Sequence, residues 1–436
     1  MKTSMFTKVT AGITLSLVAS TMLHATNGDT LIAVGAKARG MGGTGIAVSH
    51  GAESTISNPA MITSIEGTEI SFGGTVFMPT IKTEMTNVGN VIFTGGTPSG
   101  QAPGAGSLGE YTSDADMNMI PEVSIAHKIN DNWYIGIGMW GTAGMGVDFS
   151  KAPAGANMNM VTNLQLMQFA VPVAYKADGF SVAVAPILQY GNLDINYNFN
   201  GTNVGSGLAQ DFGFGWSAGL AYEVSGFTIG AVYKSSIKMS YDGQLSSATA
   251  PFVAAGAFPA PMSDTLEQPA EYGIGLAYEM GQHTFAFDWK RLKYSSAEGY
   301  KDFGWDDQDV YAFGYQYAQD NWAIRLGYNH GSTPVKELDA TPAAGAAMGA
   351  NSAINTFNLL GFPATAENHY TIGGTYEFTN QFSLDLAYVY SPSNTETFNT
   401  PMAAIDPNTG NGMLYMNTTS VDHSESSLSF QLTYAF

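Results

Sequence analysis

Apolar and polar residues alternate with a period of two along most of the chain. Phe212, Phe214, Trp216, Ala218, Leu220, Tyr222 and Val224 share one parity; Gly213, Gly215, Ser217, Gly219, Ala221 and Glu223 share the other. Successive side chains of a strand point to opposite faces, so this is a strand with one aromatic face and one small or polar face. Ser225-Gly226 breaks the pattern. Phe227, Ile229, Ala231 and Tyr233 then resume it, with Lys234 and Lys238 on the opposite parity, as in a hairpin with a tight turn. The same unit recurs around Asn130–Asn132, Ala177–Gly179, Gly281-Gln282, Asp320-Asn321 and Thr379-Asn380. One strand around Thr68 to Ile81 precedes these hairpins, and one from Leu428 to Phe436 follows. The total is about fourteen, an even number as in bacterial outer-membrane barrels.

Connection lengths alternate as well. The hairpin turns are short. The links between hairpins are long: Lys82 to Met119, Gly141 to Asn163, Gly191 to Asp211, Tyr241 to Gln268, Ser295 to Gln308, Gly331 to Glu367 and Ser391 to Ser424. Short periplasmic turns with long external loops are the membrane-barrel pattern. A soluble β-sandwich is the competing reading, but its strands average about five or six residues and these run nearer about ten. The expected fold is therefore all-β: a transmembrane antiparallel barrel. A cation on the lipid face at mid-membrane costs roughly 2–4 kcal/mol. The aromatic parity is therefore expected outside. The parity carrying Lys128, Glu223, Lys234, Glu271, Glu279, Asp288, Lys290, Arg325 and Asp385 is expected inside.

Composition agrees. Only 12% of residues are charged, against roughly 25% in ordinary soluble domains. The net charge of −20 excludes nucleic acid as a natural partner, since phosphate binding needs clustered Lys and Arg. The absence of Cys excludes a disulfide scaffold and a thiolate metal site. Lys2 and Lys8, the apolar stretch Thr10 to Ser20 and Leu23-His24-Ala25 read as a signal peptide over 1–25. No later run is long enough for a membrane helix, so a barrel over 68–436 is the route into a membrane. Between them, 26–67 lacks a period of two yet carries Leu31, Ile32, Val34, Ile46, Val48, Ile56 and Ile62. These need burial, so the segment is expected as a plug inside the lumen rather than a periplasmic tail.

Three stretches resemble the FadL/TodX family of outer-membrane transporters for hydrophobic compounds. Gly35-Ala36-Lys37-Ala38-Arg39-Gly40-Met41-Gly42-Gly43, followed by Ser57-Asn58-Pro59-Ala60, is similar to the family's N-terminal hatch. Gly213-Phe214-Gly215-Trp216-Ser217-Ala218-Gly219 is similar to its central strand, and Thr433-Tyr434-Ala435-Phe436 to its ending. The resemblance implies a monomeric barrel in the outer membrane, plugged by a hatch with Asn58, Pro59 and Ala60 as its gating turn. It implies passive import of hydrophobic molecules, long-chain fatty acids foremost, without cofactor, nucleotide or catalysis. It also implies a kinked third strand through which substrate leaves sideways into membrane lipid; Gly141, Gly144 and Gly146 stand where that kink is expected. In one respect the chain departs from the family: the link from Gly191 to Asp211 is short, leaving Phe252, Val253 and Phe258 as the apolar outer capture loop.

Lys234, Lys290 and Arg325 have inward parity and are the candidate partners of a fatty-acid carboxylate. An importer of aromatic hydrocarbons would need none of them. Terminal Phe436 on an alternating strand resembles the signal read by the barrel-assembly machinery. Gly40-x-Gly42-x-x-Gly45 fits a dinucleotide fingerprint but lacks the flanking strand and helix. Gly215-x-Ser217-x-Gly219 fits a nucleophile elbow, the basis of a hydrolase alternative, yet its Ser lies mid-strand. A general diffusion porin would need an open lumen, which the plug denies. The seven His residues show no metal-ligand spacing.

Overall fold

Fourteen antiparallel strands close into a barrel in the computed structural model, which describes residues 27–94, 97–341, 349–405 and 410–436. The signal segment expected over 1–25 lies outside the described residues. The strands are β1 (Thr68–Thr94), β2 (Asn118–Lys128), β3 (Trp133–Asp148), β4 (Val161–Ala170 and Val173–Ala177), β5 (Phe180–Phe199), β6 (Ala209–Val224) and β7 (Phe227–Lys234). They continue as β8 (Glu271–Met280), β9 (His283–Leu292), β10 (Gln308–Gln319), β11 (Trp322–Gly331), β12 (Asn368–Thr379), β13 (Phe382–Asn399) and β14 (Gly412–Ala435). Neighbours in sequence pair in space, and β1 pairs with β14 from Glu69–Ala435 to Ile92–Met413 to close the ring. Closure at this seam leaves neither terminal strand with a free edge, the condition for a sheet in lipid.

The parities fall as expected. Phe214, Trp216, Leu220, Ile229, Ile274, Phe313 and Tyr370 are exposed on the outer wall, where lipid covers them. Glu271, Asp288, Lys290, Arg325 and Asp385 are buried inside. Aromatic rings meet across strands, as in Phe227 against Tyr278 at 4.2 Å and Phe180 against Tyr222 at 4.2 Å. Such pairs stabilise neighbouring strands and set register.

Several expected loops are instead strand. β1 runs 27 residues and β14 runs 24. Fully extended, 27 residues reach roughly 90 Å, far beyond an apolar band of about 25 Å. Their outer halves therefore stand above the membrane, and Thr97–Thr112 folds back along β1 as a hairpin. The link expected over Lys82 to Met119 is thus largely sheet, as are Ser391–Asn399 and the outer part of β14. Outside lipid both faces of a strand accept polar residues, so alternation fades while hydrogen bonding continues. Gln244–Ala254 is helical, as is Ala350–Thr356. β4 is interrupted at Val171-Pro172, because Pro172 has no N–H for the ladder.

Residues Asn27 to Gly67 run inside the ring as short helical turns. They touch inward side chains from β2, β5, β9, β11, β12 and β14. Ile274→Arg, on the lipid face near mid-height of β8, is expected to destabilise the barrel by about 2–4 kcal/mol. Urea unfolding in lipid vesicles measures this; a shift no larger than for an inward substitution would contradict the assigned orientation.

Candidate functional site

The lumen has two chemically different halves. The half toward the short turns holds residues 35–67, whose short helical turns satisfy only part of their own backbone. Barrel side chains satisfy much of the rest. Asp288 accepts from the amides of Gly45 (2.7 Å) and Ile46 (2.9 Å). Glu122 accepts from Gly35 N at 2.9 Å and Gln431 from Ala36 N at 3.1 Å. Asn329 donates to the Gly42 carbonyl at 3.0 Å. Asn58 is fully buried: its amide donates to the carbonyls of Ile46 (2.7 Å) and Leu220 (3.2 Å), and its carbonyl accepts from Ala60 N (3.0 Å). Pro59 starts the one-turn helix Pro59–Ser64 directly after this cap. The Asn58-Pro59-Ala60 turn is therefore pinned to the wall, and Gly219 lies where a β-carbon would strike the Asn58 side chain.

The half toward the long loops is apolar. Leu31, Trp140, Met145, Leu164, Leu193 and Phe252 belong to one continuous buried cluster, which also takes in Tyr294, Phe303, Trp305, Phe357 and Phe362. Phe252 and Phe258, expected on an outer capture loop, are buried in this cluster; Val253 packs at its edge. Phe252 points inward because it sits on the inner face of the helix Gln244–Ala254, against Phe199 and Phe357.

β3 joins these halves to the outside. It alternates from Trp133 to Met139, and then every residue from Trp140 to Val147 is buried. Burial on both faces means that the strand has turned into the lumen. Its pairing with β2 stops at Glu122–Trp140, while its pairing with β4 continues to Asp148–Val161, with a bulge between Gly141 and Ala143. Above, the wall resumes where Asp114 N donates to the Asp148 carbonyl at 2.9 Å. The stretch with Gly141, Gly144 and Gly146 thus faces a break between β2 and β3. Ile120 lies against Gly141 there. The lumenal chain fills the missing ladder positions: Leu31 N donates to the Thr142 carbonyl at 3.1 Å and Gly144 N to the Asp29 carbonyl at 2.8 Å.

Of the three expected cations, Arg325 is fully engaged, with Asp385 at 3.2 Å, Gln316 at 2.7 Å and Thr375 at 2.7 Å. Lys234 pairs with Glu271 at 3.1 Å. Lys234 and the buried Lys290 line an internal cavity of about 70 Å³ together with Thr30, Leu31, Gln268 and Asp288. That volume holds a few waters and no alkyl chain. A far larger concavity, about 730 Å³, is a groove in the outer aromatic wall between Tyr222 and Tyr328 and belongs to the lipid-facing surface.

One group escaped the sequence reading. Asp29 is fully buried, and both its oxygens accept from phenols: Tyr294 at 2.6 Å and Tyr300 at 2.6 Å. Thr30 adds a hydroxyl at 3.1 Å. Burial holds the Asp29 carboxyl above its usual range in spite of these bonds. Burial, then the neighbouring Asp29, drives both phenols upward, so they remain protonated donors. The partners are separated by some 270 residues, and no local pattern marks either end.

The sequence profile for outer membrane protein transport proteins (OMPP1/FadL/TodX) matches residues 17–436. The chain belongs to this family. It is an outer-membrane transporter of hydrophobic compounds. It is 24% identical to a 47 kDa outer membrane protein of Pasteurella multocida over 91% of this chain and 94% of that one. It is 22% identical to the long-chain fatty acid transport protein of Escherichia coli over 66% of this chain and 73% of that one. Two solved structures share the fold. One is a Pseudomonas aeruginosa FadL homologue, with a TM-score of 0.63 and 16% identity, covering 96% of this chain and 100% of that one. The other is the P. putida toluene transporter TodX, with a TM-score of 0.61 and 17% identity, covering 93% of this chain and 99% of that one.

Within this FadL/TodX barrel, two motifs with catalytic or nucleotide-binding look-alikes have structural duties. Ser217 lies mid-strand in β6, paired with Ala185 and Lys234, and not at a strand-to-helix turn. Gly40 ends the five-residue helix Ala36–Gly40 and with Gly42 presses against β10, β11 and β12, while Gly45 packs against Ser57. Among the described residues no group of three His, Asp or Glu is placed to hold a metal. Asn58→Ala removes three buried hydrogen bonds and is expected to favour opening of residues 27–67 by about 1–3 kcal/mol per group left unpaired. Hydrogen exchange should speed up in this segment and not in the barrel strands; uniform exchange throughout would contradict a separately anchored insert.

Proposed function

We propose that the protein imports long-chain fatty acids by passive lateral diffusion, with residues 26–67 as its hatch. The carrying observation is the apolar upper lumen that ends at the break beside β3, above a polar floor. An alkyl chain gains roughly 0.8 kcal/mol for each CH₂ moved from water into such a cluster. Passing onward through Asp288, Glu122, Arg39 and Arg325 would forfeit that gain. The sideways path past Gly141, Gly144 and Gly146 into lipid keeps it. Withdrawal of Asp29–Leu31 from β3 opens this path, and the pinned Asn58-Pro59-Ala60 turn is the fixed end about which the hatch moves. A gradient suffices to drive the flow, with neither nucleotide nor catalysis.

Fatty acids are favoured over aromatic hydrocarbons because the apolar half borders a cavity in which Lys234 and Lys290 share the carboxylates of Glu271 and Asp288, and could exchange one for a substrate's. A hydrocarbon has no use for buried cations, which are costly to keep. The same lysines are the candidate headgroup partners; Arg325, held three ways, is the weakest of the set. Phe252, Val253 and Phe258 would act as an inner lining of the entry rather than as an outer trap. The barrel works as a monomer surrounded by outer-membrane lipid, and Phe436 is the handle for the assembly machinery.

The absence of native Cys allows a clean test. A β-carbon on Gly141 would stand 3.8 Å from that of Ile120, within disulfide range. The variant Ile120→Cys/Gly141→Cys should seal the break. Cells carrying it are expected to take up labelled palmitate only after reduction, at the rate of the unsubstituted protein. Uptake unaffected by oxidation would rule out the lateral route, and uptake of toluene without palmitate would favour the hydrocarbon reading.

A further inference from the structure

Asp29 is an odd anchor. A buried carboxylate ordinarily has a cation, because removing its charge from water is costly. Among the described residues, Asp29 forms no ion pair with Lys, Arg or His. Its side-chain partners are neutral: the hydroxyls of Tyr294, Tyr300 and Thr30, and Gln268. An Asn or Ser could tie the chain down with less desolvation. Holding an ion with neutral donors makes a bond that another carboxylate can replace, without any change in net charge.

The surroundings have the chemistry of a fatty-acid site, although they are closed in this structure. The rings of Tyr294, Tyr300 and Trp305 pack around the clamp at 57–66° to one another, with centroids 4.8–5.2 Å apart. Tyr300 and Trp305 then line an apolar crevice of about 20 Å³ with Met145, Leu164, Leu266 and Phe362, which admits a chain only as these side chains part. Apolar walls on one side and two converging phenols on the other match an alkyl chain ending in a carboxylate. The clamp also sits on the gate. The carbonyl of Asp29 itself holds Gly144 of β3. Gly28, at a φ of +65°, turns the chain so closely under Tyr294 that a β-carbon there would overlap the ring.

We infer that Tyr294 and Tyr300 form a carboxylate site that Asp29 fills in the closed barrel, and that the substrate's own carboxylate displaces Asp29 to open the break beside β3. The inference rests on the import reading above and names the group that senses the substrate. Displacement frees the Asp29 side chain, and with it the backbone bonds to Thr142 and Gly144. The phenols take the substrate's carboxylate at the gate, ahead of Lys234 and Lys290, which lie behind Thr30 with Glu271 and Asp288. A hydrocarbon enters the same apolar space but cannot compete for the phenols.

The test compares palmitate with methyl palmitate, which has the same chain without the charge. Equilibrium binding of both, and of toluene, is measured on the full chain in detergent micelles. Removing the internal competitor with Asp29→Ala should raise the affinity ratio of palmitate to ester at least tenfold. Tyr294→Phe/Tyr300→Phe should lower that ratio at least tenfold while ester binding stays within twofold. Asp29→Asn and the single Tyr300→Phe are the milder variants should either of the first two fail to assemble, and each should move the ratio in the same direction at least threefold. Equal gains for palmitate and ester on removing Asp29 would reduce Asp29 to a structural latch and overturn the inference. So would a ratio indifferent to the tyrosines. In both cases the import reading survives, provided that the unsubstituted protein binds these probes. If it binds none of the three, the import reading fails and the inference falls with it.

Discussion

The rest of the structure depends on one constraint: backbone polar groups inside a membrane must find partners, and the short turns of the hatch supply only part of them. The barrel supplies much of the rest. Asp288, Glu122, Gln431 and Asn329 point inward to meet amides and carbonyls of residues 35–46. Asn58 does the converse from the hatch, reaching the Leu220 carbonyl of β6. The polar inner face of the barrel is therefore a template for the plug, and the plug closes the lower lumen because of it. The small inner faces of β6 and β11 follow from the same constraint: at Gly219 and Gly327 a side chain would occupy the space the hatch needs.

The break beside β3 is the same constraint met in another way. When β3 turns inward at Trp140, its amides and carbonyls lose β2. They would be orphaned in the membrane if nothing replaced the partner strand. Asp29–Leu31 replaces it, so the sheet edge is completed by the lumenal segment. Break and plug are thereby held by the same bonds. The apolar cluster lies at the level where the wall is incomplete.

Much of this was legible in the chain. The period of two from Phe212 to Val224, repeated hairpin by hairpin, determines a barrel and its strand number, because a lipid-facing wall imposes alternation residue by residue. The aromatic parity determines the outer face, because a buried Lys290 or Arg325 cannot face hydrocarbon. The unpatterned but apolar segment before Thr68 determines a plug, since Leu31, Val34 and Ile46 must be covered. The glycines of β3 mark the kink, because a strand that bends across a bulge needs residues without side chains.

Other features belong to the tertiary structure alone. The outer halves of β1 and β14 continue as sheet although their alternation fades, because hydrogen bonding to a long neighbour does not need an apolar face. Phe252 and Phe258 look like an outer trap in the sequence. The helix Gln244–Ala254 turns them inward, a choice made by which face it packs on and not by composition. The meeting of Asp29 with Tyr294 and Tyr300 is the clearest case. Each of these residues is unremarkable in its own neighbourhood, and only the closure of the ring brings the first hatch residues beneath a loop some 270 positions away. Local pattern is set by the solvent that each face meets, and so it can be read from the chain. Contacts across the lumen are set by the path of the whole backbone, which no single stretch contains.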